Sequence, residues 1–222
     1  MEKALILWRN LLDFCLPRTS DLKKLEEMSA VEFCQSARKL SRADCSNLPI
    51  NIRPFFSYRD PLVRTAIWQI KYRNHSKISR LLAEVIYSGL LEELMDRAVF
   101  EDFQKPLLIP IPLSAERLRS RGYNQTENLA QELTRIDGGQ NFELLTNVLT
   151  KIKETKPQSS LPRTLRLQNL KGCLHVTTPE RIRHRNIILL DDVTTTGATF
   201  TEAQKTLEKV EARNIIAISV AH

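Results

Sequence analysis

The stretch Ile187-Ile-Leu-Leu-Asp-Asp-Val-Thr-Thr-Thr-Gly-Ala-Thr199 decides the fold of this chain. It begins with four aliphatic residues, continues with two adjacent aspartates, and ends with threonines around a single glycine. A continuous aliphatic run is typical of a strand that is buried on both faces of a parallel sheet. An amphipathic pattern follows at once. The stretch therefore predicts a buried parallel strand, a polar turn at its carboxyl end, and the start of a helix.

The polar turn has the chemistry of an anion site. Backbone N–H groups at the start of a helix are unpaired and favour an anion. The threonine hydroxyls add hydrogen-bond donors, and Gly197 lacks the Cβ that would keep a phosphate away. We therefore predict that the residues of this loop bind a phosphate. They are Thr194, Thr195, Thr196, Gly197, Ala198 and Thr199.

The two aspartates, Asp191 and Asp192, must serve another group, because carboxylates do not hold a phosphate directly. They suit a neighbouring diol or a hydrated magnesium ion. A phosphate beside a diol indicates a ribose 5-phosphate. The alternative is an ordinary strand, turn and helix in which the Asp and Thr side chains act only as caps. Two other phosphate loops are excluded, because the sequence has no Gly-x4-Gly-Lys-Ser/Thr and no Gly-x-Gly-x-x-Gly after a strand.

The chain has 222 residues and a formal net charge of +7, so it is long enough to bury a substantial core. We divide it into an N-terminal appendage, residues 1–50, and one domain, residues 51–222. No apolar run is long enough to span a membrane. Polar residues interrupt the apolar N-terminus, which argues against a signal peptide. We therefore expect a cytoplasmic protein with reduced cysteines and no membrane insertion.

Much of the positive charge is concentrated in short groups. Arg117, Arg119 and Arg121 lie close together, and Lys151 and Lys153 begin a second group. A net positive charge indicates either an anionic partner or a solvated basic surface. A polyanion such as pyrophosphate would account for these groups without any nucleic acid.

Strand-like and helix-like patterns alternate along residues 51–222. This alternation predicts an α/β fold with an open, mostly parallel sheet flanked by helices. Ligands of such sheets lie beyond the carboxyl ends of the strands, where the aspartate pair would be. The predicted strands are 53–58, 106–112, 143–149, 172–176, 187–190 and 215–220. The predicted helices include residues 62–70, 78–90, 129–133 and 200–210, and a basic loop follows residue 112.

Five further segments are informative when they are taken together with the aspartate pair and the threonine loop. They are Ile70-Lys-Tyr72, Ile109-Pro-Ile-Pro-Leu113, Arg117-Leu-Arg-Ser-Arg-Gly-Tyr-Asn-Gln125, Lys151-Ile-Lys-Glu-Thr-Lys-Pro-Gln158 and Arg166-Leu-Gln-Asn169. Together with the aspartate pair, they resemble the ComF family of type I phosphoribosyltransferase-like proteins, the group of ComFC and GntX. The resemblance runs from about Tyr58 to the C-terminus. Asn74 departs from it, because the family has a glycine at this point.

The resemblance implies binding of phosphoribosyl pyrophosphate with Mg²⁺ and transfer of the phosphoribosyl group, a glycosyltransferase reaction, to an acceptor that the sequence does not identify. Asp191 and Asp192 would bind the ribose hydroxyls, would hold Mg²⁺ directly or through water, and would be catalytic together with Arg121. Residues 151–169 would form a mobile loop over the site. The pyrophosphate would be bound by Lys71, Arg117, Arg119, Arg121, Lys151 and Lys153. Asn124 and Gln125 either belong to the site or only start a helix.

A second hypothesis is non-catalytic. The chain would bind single-stranded DNA or DNA-uptake proteins through its basic loops and keep the phosphoribosyl site as a sensor or a relic. It ranks below ligand binding, because single-strand binding uses aromatic platforms beside positive charge and only Tyr123 and, more remotely, Tyr72 are near the basic groups. ComF proteins are associated with competence and DNA uptake. The resemblance therefore implies a link between this chain and DNA uptake. The oligomeric state stays open, and a dimer is compatible with the sequence.

The N-terminal appendage departs from the family. ComF proteins commonly begin with two Cys-x-x-Cys pairs in a zinc-ribbon arrangement. Here Arg18 follows Cys15, and Ala37 follows Cys34, at the partner spacing, so each pair has lost one thiolate. Cys45 is too distant to restore either pair, and we therefore predict no structural zinc. Apolar packing would hold this degenerate segment instead, through Leu5, Trp8, Leu12 and Phe33.

Overall fold

The computed structural model describes residues 19–41, 43–49, 51–153 and 169–222. Its helices are α1 (Thr19–Glu27), α2 (Ala30–Ser36), α3 (Pro61–Tyr72), α4 (Ser76–Phe100), α5 (Ala115–Arg121), α6 (Gln125–Asp137) and α7 (Ala198–Glu208). Its strands are β1 (Ile52–Phe56), β2 (Leu107–Pro110), β3 (Glu143–Leu144), β4 (Leu149–Lys151), β5 (Leu174–Val176), β6 (Ile187–Val193) and β7 (Ile215–Ala221). Two short 3₁₀ helices lie at Ala43–Cys45 and Pro179–Arg181.

Five strands form one sheet in the order β1-β7-β6-β2-β3, and every pair in it is parallel. The decisive strand β6 is therefore central, between β7 and β2. The predicted open, mostly parallel sheet flanked by helices is confirmed. Because parallel strands end at the same edge, the loops after β6 and β2 meet beyond that edge.

The predicted strand at 143–149 is two separate elements. Its first part is β3 in the main sheet, whereas β4 begins at Leu149 and pairs antiparallel with β5 in a small second sheet. Asn147 lies between them with a φ of 61°, in the left-handed region that asparagine tolerates. A single strand cannot continue through this turn, so the chain changes sheets here.

The aliphatic run of β6 supplies both faces of the main sheet. Ile188 and Leu190 are buried in one cluster with α3, α4 and α6, and Ile187 and Leu189 are buried in another with α7. Successive side chains of a strand point to opposite faces. Four consecutive aliphatic residues therefore mark a strand that helices cover on both sides, as predicted.

The described part of the N-terminal appendage packs on the core of the sheet domain. Leu25 of α1 and Phe33 of α2 are buried in the cluster that contains α3 and α4. The Phe33 ring meets the Phe56 ring edge-on, with centroids 5.5 Å apart. Packing through Phe33 is thus confirmed, whereas Leu5, Trp8, Leu12 and Cys15 lie outside the described residues. The boundary at residue 50 stays a prediction.

The described ranges contain cysteines and helices that bear on metal binding and membrane insertion. Cys34, Cys45 and Cys173 are free thiols there, and no group of three or more His, Cys, Asp or Glu side chains in those ranges could hold a metal ion. None of the helices that the structure describes is long and apolar enough to cross a membrane. The prediction about zinc itself stays a prediction, because Cys15 lies outside these ranges.

Candidate phosphoribosyl site

The predicted site residues surround one cavity of about 640 Å³ at the carboxyl edge of the sheet. The structure brings together eleven of the residues chosen from the sequence: Lys71, Arg117, Arg121, Lys151, Asp191, Asp192, Thr194, Thr195, Gly197, Ala198 and Thr199. Arg119, Lys153 and Thr196 do not line this cavity. Residues 154–168 of the predicted mobile loop lie outside the described residues. The three motifs around β6, β2 and β4 therefore meet in space.

The segment predicted as a basic loop after β2 contains a helix, α5. The Ser114 hydroxyl accepts a hydrogen bond from the Arg117 backbone N–H at 3.5 Å, and Gly122 ends the helix with a φ of 81°. The sequence missed it because its one large apolar side chain, Leu118, is 45 % exposed and gives no periodic pattern. Residues four apart share a helix face. For this reason Arg117 and Arg121 line the cavity together and Arg119 does not.

Asp192 is buried, with a relative exposure of 3 %, and both of its carboxylate oxygens are occupied. Lys71 Nζ lies 2.9 Å from Oδ1, and Gln125 Nε2 donates to Oδ2 at 2.5 Å. Burial opposes the charge of Lys71, but the charge and hydrogen bond of Asp192, together with the nearby Asp191 and Tyr58, outweigh burial and raise the pKa of Lys71 above its ordinary value. Asp192 and Lys71 therefore form an internal ion pair.

Asp191 is in a different situation from its neighbour. It is half-buried, lines the cavity, and accepts hydrogen bonds at Oδ1 from the Asp192 backbone N–H at 2.8 Å and from Thr126 Oγ1 at 3.4 Å. Burial and the adjacent charge of Asp192 raise the pKa of Asp191 to about 7, although Lys71 acts in the opposite direction. Of the two aspartates, Asp191 is the one placed to receive a ligand.

Arg121 is held by two neighbours. Its guanidinium lies over the Tyr72 ring, 5.2 Å from the centroid, and donates a hydrogen bond to Gln125 Oε1. Tyr72 also packs against Trp68, with ring centroids 5.4 Å apart. The sequence left open whether Asn124 and Gln125 belong to the site, and the structure separates them. Asn124 caps α6 by accepting from the Thr126 backbone N–H at 3.1 Å, whereas Gln125 contacts site residues.

Gly197 is required for a reason that the sequence did not reveal. Its φ is 73°, and a Cβ built on it would lie 2.8 Å from Ile52 Cδ1 and 3.3 Å from Pro49 Cδ. The missing side chain therefore makes room for residues before and within β1. The expectation that Gly197 also clears space for a phosphate stays a prediction. The glycine seats the loop against Ile52 and Pro49.

Two other positions bear on the site. Among the described residues, the buried Thr196 Oγ1 has no hydrogen-bond partner, although it belongs to the predicted phosphate loop. Asn74 has a φ of 48°, so the position needs a residue that tolerates left-handed backbone. Its backbone N–H donates to Tyr123 Oη at 2.9 Å, which ties the end of α3 to the loop before α6.

Solved phosphoribosyltransferases are among the structures that the fold resembles. A phosphoribosyltransferase from Corynebacterium diphtheriae is 16 % identical over 89 % of this chain and 81 % of its own, with a TM-score of 0.37. A hypoxanthine-guanine phosphoribosyltransferase from Leishmania tarentolae in complex with GMP is 14 % identical over 64 % of this chain and 66 % of its own, with a TM-score of 0.36. Likeness at these scores does not define a site. The architecture described above agrees with the open, mostly parallel sheet flanked by helices that the sequence predicts.

Relatives with similar sequences identify the family. Competence protein F of Haemophilus influenzae is 33 % identical over 161 residues, 71 % of this chain and 66 % of the relative. Competence protein ComFC of Bacillus subtilis is 30 % identical over 73 % of this chain and 60 % of its own length. DNA utilization protein YhgH of Escherichia coli K12 is 30 % identical over 66 % of this chain and 61 % of its own length.

No protein-family model matches the chain. The matched part of the chain corresponds to 60 to 66 % of the length of these curated relatives. Nevertheless, residues from the described motifs at 70–72, 109–113, 117–125 and 187–199 line a single cavity. The chain belongs to the ComF family, with competence protein F and ComFC.

Proposed function

We propose that this chain binds phosphoribosyl pyrophosphate together with Mg²⁺ and that it acts in DNA uptake. The observation that supports ligand binding is the meeting, in one cavity, of an aspartate pair, a threonine loop and four basic side chains from separate segments. The proposed role in DNA uptake is supported by the relatives of this chain, which are named competence proteins and DNA utilization proteins.

The cavity offers a separate place for each part of this ligand. The 5-phosphate would bind the loop between β6 and α7, where α7 begins at Gly197 without a side-chain cap and the orphaned Thr196 hydroxyl could gain a partner. The ribose hydroxyls would bind Asp191 at the end of β6. The pyrophosphate would bind the cations that line the same cavity, which are Lys71, Arg117, Arg121 and Lys151.

The side chains at the aspartate pair fit a magnesium ion. Mg²⁺ prefers oxygen ligands and usually keeps several waters. Asp191 would hold it, directly or through water, because both oxygens of Asp192 are engaged by Lys71 and Gln125. When bound, the ion would offset the charge of the pyrophosphate beside the ribose.

If the phosphoribosyl group is transferred, the leaving pyrophosphate gains negative charge as the bond to C1 of the ribose breaks. Arg121 would stabilise that charge with a guanidinium that is already oriented by Tyr72 and Gln125. Such preorganisation lowers the barrier because the donor needs no rearrangement during the reaction. The acceptor would enter from the open side of the cavity.

Calorimetry tests the proposed binding. Phosphoribosyl pyrophosphate, ribose 5-phosphate and pyrophosphate are titrated with and without Mg²⁺ into the wild-type chain, Asp191→Asn, and the matched control Asp96→Asn, which changes an exposed residue of α4. We expect Mg²⁺-dependent binding of the full ligand that Asp191→Asn weakens at least tenfold and Asp96→Asn leaves unchanged. Absence of wild-type binding, or equal binding by Asp191→Asn, would overturn the proposal.

One observation favours single-stranded DNA as a second candidate ligand. Tyr72 is 59 % exposed, lines the cavity, packs against Trp68 at a tilt of 44°, and lies under Arg121, while Arg73 lies over the Trp68 ring at 5.6 Å. Exposed rings beside cations suit unpaired bases. The corresponding test is fluorescence anisotropy with a labelled oligonucleotide over a range of salt concentrations.

For single-stranded DNA we expect binding that weakens steeply with salt and that Tyr72→Ala reduces severalfold. The matched control is Tyr58→Ala, a half-buried tyrosine that does not line the cavity. Equal binding by Tyr72→Ala and the wild type would exclude this surface as the DNA contact.

A further inference from the structure

The Gln125 side chain lies between Asp192 and Arg121, two residues of the proposed site. Its Nε2 donates to Asp192 Oδ2 at 2.5 Å, and its Oε1 accepts from the Arg121 guanidinium. A carboxylate can only accept and a guanidinium can only donate, so the orientation of the amide is fixed by chemistry. One planar group therefore joins a predicted ribose ligand to a predicted pyrophosphate ligand.

A purely local role does not account for Gln125. Capping of α6 is carried out by Asn124, whose side chain accepts from the Thr126 backbone N–H and donates to the Ile111 carbonyl. Gln125 is the next residue, is 3 % exposed, and directs its amide at two charged partners. Hydrogen bonds to charged groups are about twice as strong as neutral ones. A buried amide with two such bonds holds both partners in fixed positions.

We propose that Gln125 is a positioning residue that holds Arg121 in place for the pyrophosphate and keeps Asp192 paired beside the ribose. This inference rests on the proposed function. Arg121 has one face against the Tyr72 ring, and the hydrogen bond to Gln125 fixes its remaining freedom. Without Gln125 the arginine would lose rotamer freedom on binding the anion, which weakens binding. The threonine loop does not depend on this contact.

The decisive variant is Gln125→Met, which keeps the length of the side chain and removes both hydrogen bonds. Its matched control is Gln131→Met, the same change at an exposed position of α6. The wild type and both variants are titrated with pyrophosphate and Mg²⁺, and separately with ribose 5-phosphate. For Gln125→Met we expect about a tenfold loss of pyrophosphate affinity and a change below twofold for ribose 5-phosphate, with Gln131→Met unchanged in both.

A double-mutant cycle with Arg121→Ala separates positioning from general damage to the fold. If Gln125 acts through Arg121, Gln125→Met causes little further loss of pyrophosphate affinity once Arg121 is gone. Gln125→Asn supplies a second test if the methionine variant does not fold, because its shorter amide retains the polar groups but cannot span both partners. A loss like that of Gln125→Met supports the inference.

The outcomes separate the two proposals. Wild-type affinity for pyrophosphate in folded Gln125→Met or Gln125→Asn, or equal losses with and without Arg121, overturns the positioning role and leaves the proposed function standing. A wild-type chain that binds neither pyrophosphate nor phosphoribosyl pyrophosphate overturns the proposed function, and the inference with it.

Discussion

Lys71 Nζ lies 2.9 Å from Asp192 Oδ1, so the aspartate pair carries its own counter-charge before any ligand arrives. The two adjacent carboxylates are therefore unequal. Both line the cavity, but Asp192 is buried and fixed by Lys71 and Gln125, whereas Asp191 is half-buried. A motif that looks symmetric in the sequence divides into one structural aspartate and one that is available to a ligand.

This division predicts different effects of two single substitutions. Asp192→Asn leaves the Lys71 ammonium, with a side-chain exposure of 22 %, without its partner, so we expect the free energy of unfolding to fall by roughly 2 kcal/mol. Asp191→Asn should not destabilise the fold. Urea unfolding of both variants measures the difference.

The energetic coupling of this ion pair can be checked by removing both charges. Lys71→Met combined with Asp192→Asn should be more stable than Asp192→Asn alone, because it leaves no uncompensated buried charge. Strictly additive losses in the double variant would mean that the pair contributes nothing to stability.

The raised pKa of Asp191 predicts a stability that depends on pH. Because the pKa is near 4 in the unfolded chain and about 7 in the folded one, the folded state binds the extra proton between these values. The stability of the folded chain is therefore unaffected by Asp191 below pH 4, where the carboxyl is protonated in both states. The free energy of unfolding falls as the pH rises from 4 to 7, and it changes no further above pH 7. The Asp191→Asn variant does not ionise at this position, so its free energy of unfolding at pH 8 should exceed that of the wild type by about 1–3 kcal/mol.

The measurement is urea unfolding of the wild type and Asp191→Asn at several pH values from 4 to 8. The difference should be small at pH 4 and should reach its full size near pH 7. A difference that is independent of pH, or that favours the wild type at pH 8, would contradict the assigned pKa. The control is Asp96→Asn, a change at an exposed aspartate, whose difference in stability from the wild type should not depend on pH.

The sequence predicts those features that depend on local pattern. The aliphatic run of β6 could be identified because its residues fill both faces of a parallel sheet, and the loop after it could be identified from its threonines. The contact between Gln125 and Asp192 could not, because 67 residues separate them and no spacing rule connects them. Similarly, the partner of Gly197 is Ile52, which belongs to a neighbouring part of the fold.

The geometry of α5 predicts unequal roles for three arginines that the sequence treats alike. Arg117 and Arg121 are four residues apart and line the cavity, and Arg119 does not. We expect Arg117→Ala and Arg121→Ala each to weaken pyrophosphate binding about tenfold and Arg119→Ala to change it less than twofold, measured by calorimetry with Mg²⁺. A loss at Arg119 equal to the other two would show that binding follows net charge alone.

The N-terminal cysteines predict an outcome for metal removal. Protein purified without added zinc should contain no stoichiometric zinc, and a strong chelator should not lower its melting temperature. A structural zinc site needs four good donors, and each Cys-x-x-Cys spacing here keeps only Cys15 or Cys34. One zinc per chain together with destabilisation by the chelator would mean that ligands from elsewhere complete the site.

The last prediction rests on the close approach of Gly197 to Ile52. Gly197→Ala introduces a Cβ 2.8 Å from Ile52 Cδ1 at a φ of 73°, so it should destabilise the fold by about 1–3 kcal/mol and displace the threonine loop. Ribose 5-phosphate binding should weaken with it. Adding Ile52→Val, which removes the clashing methyl, should restore part of both losses, because the steric component disappears and only the backbone strain remains. If Ile52→Val restores neither stability nor affinity, the loop is not seated by this contact.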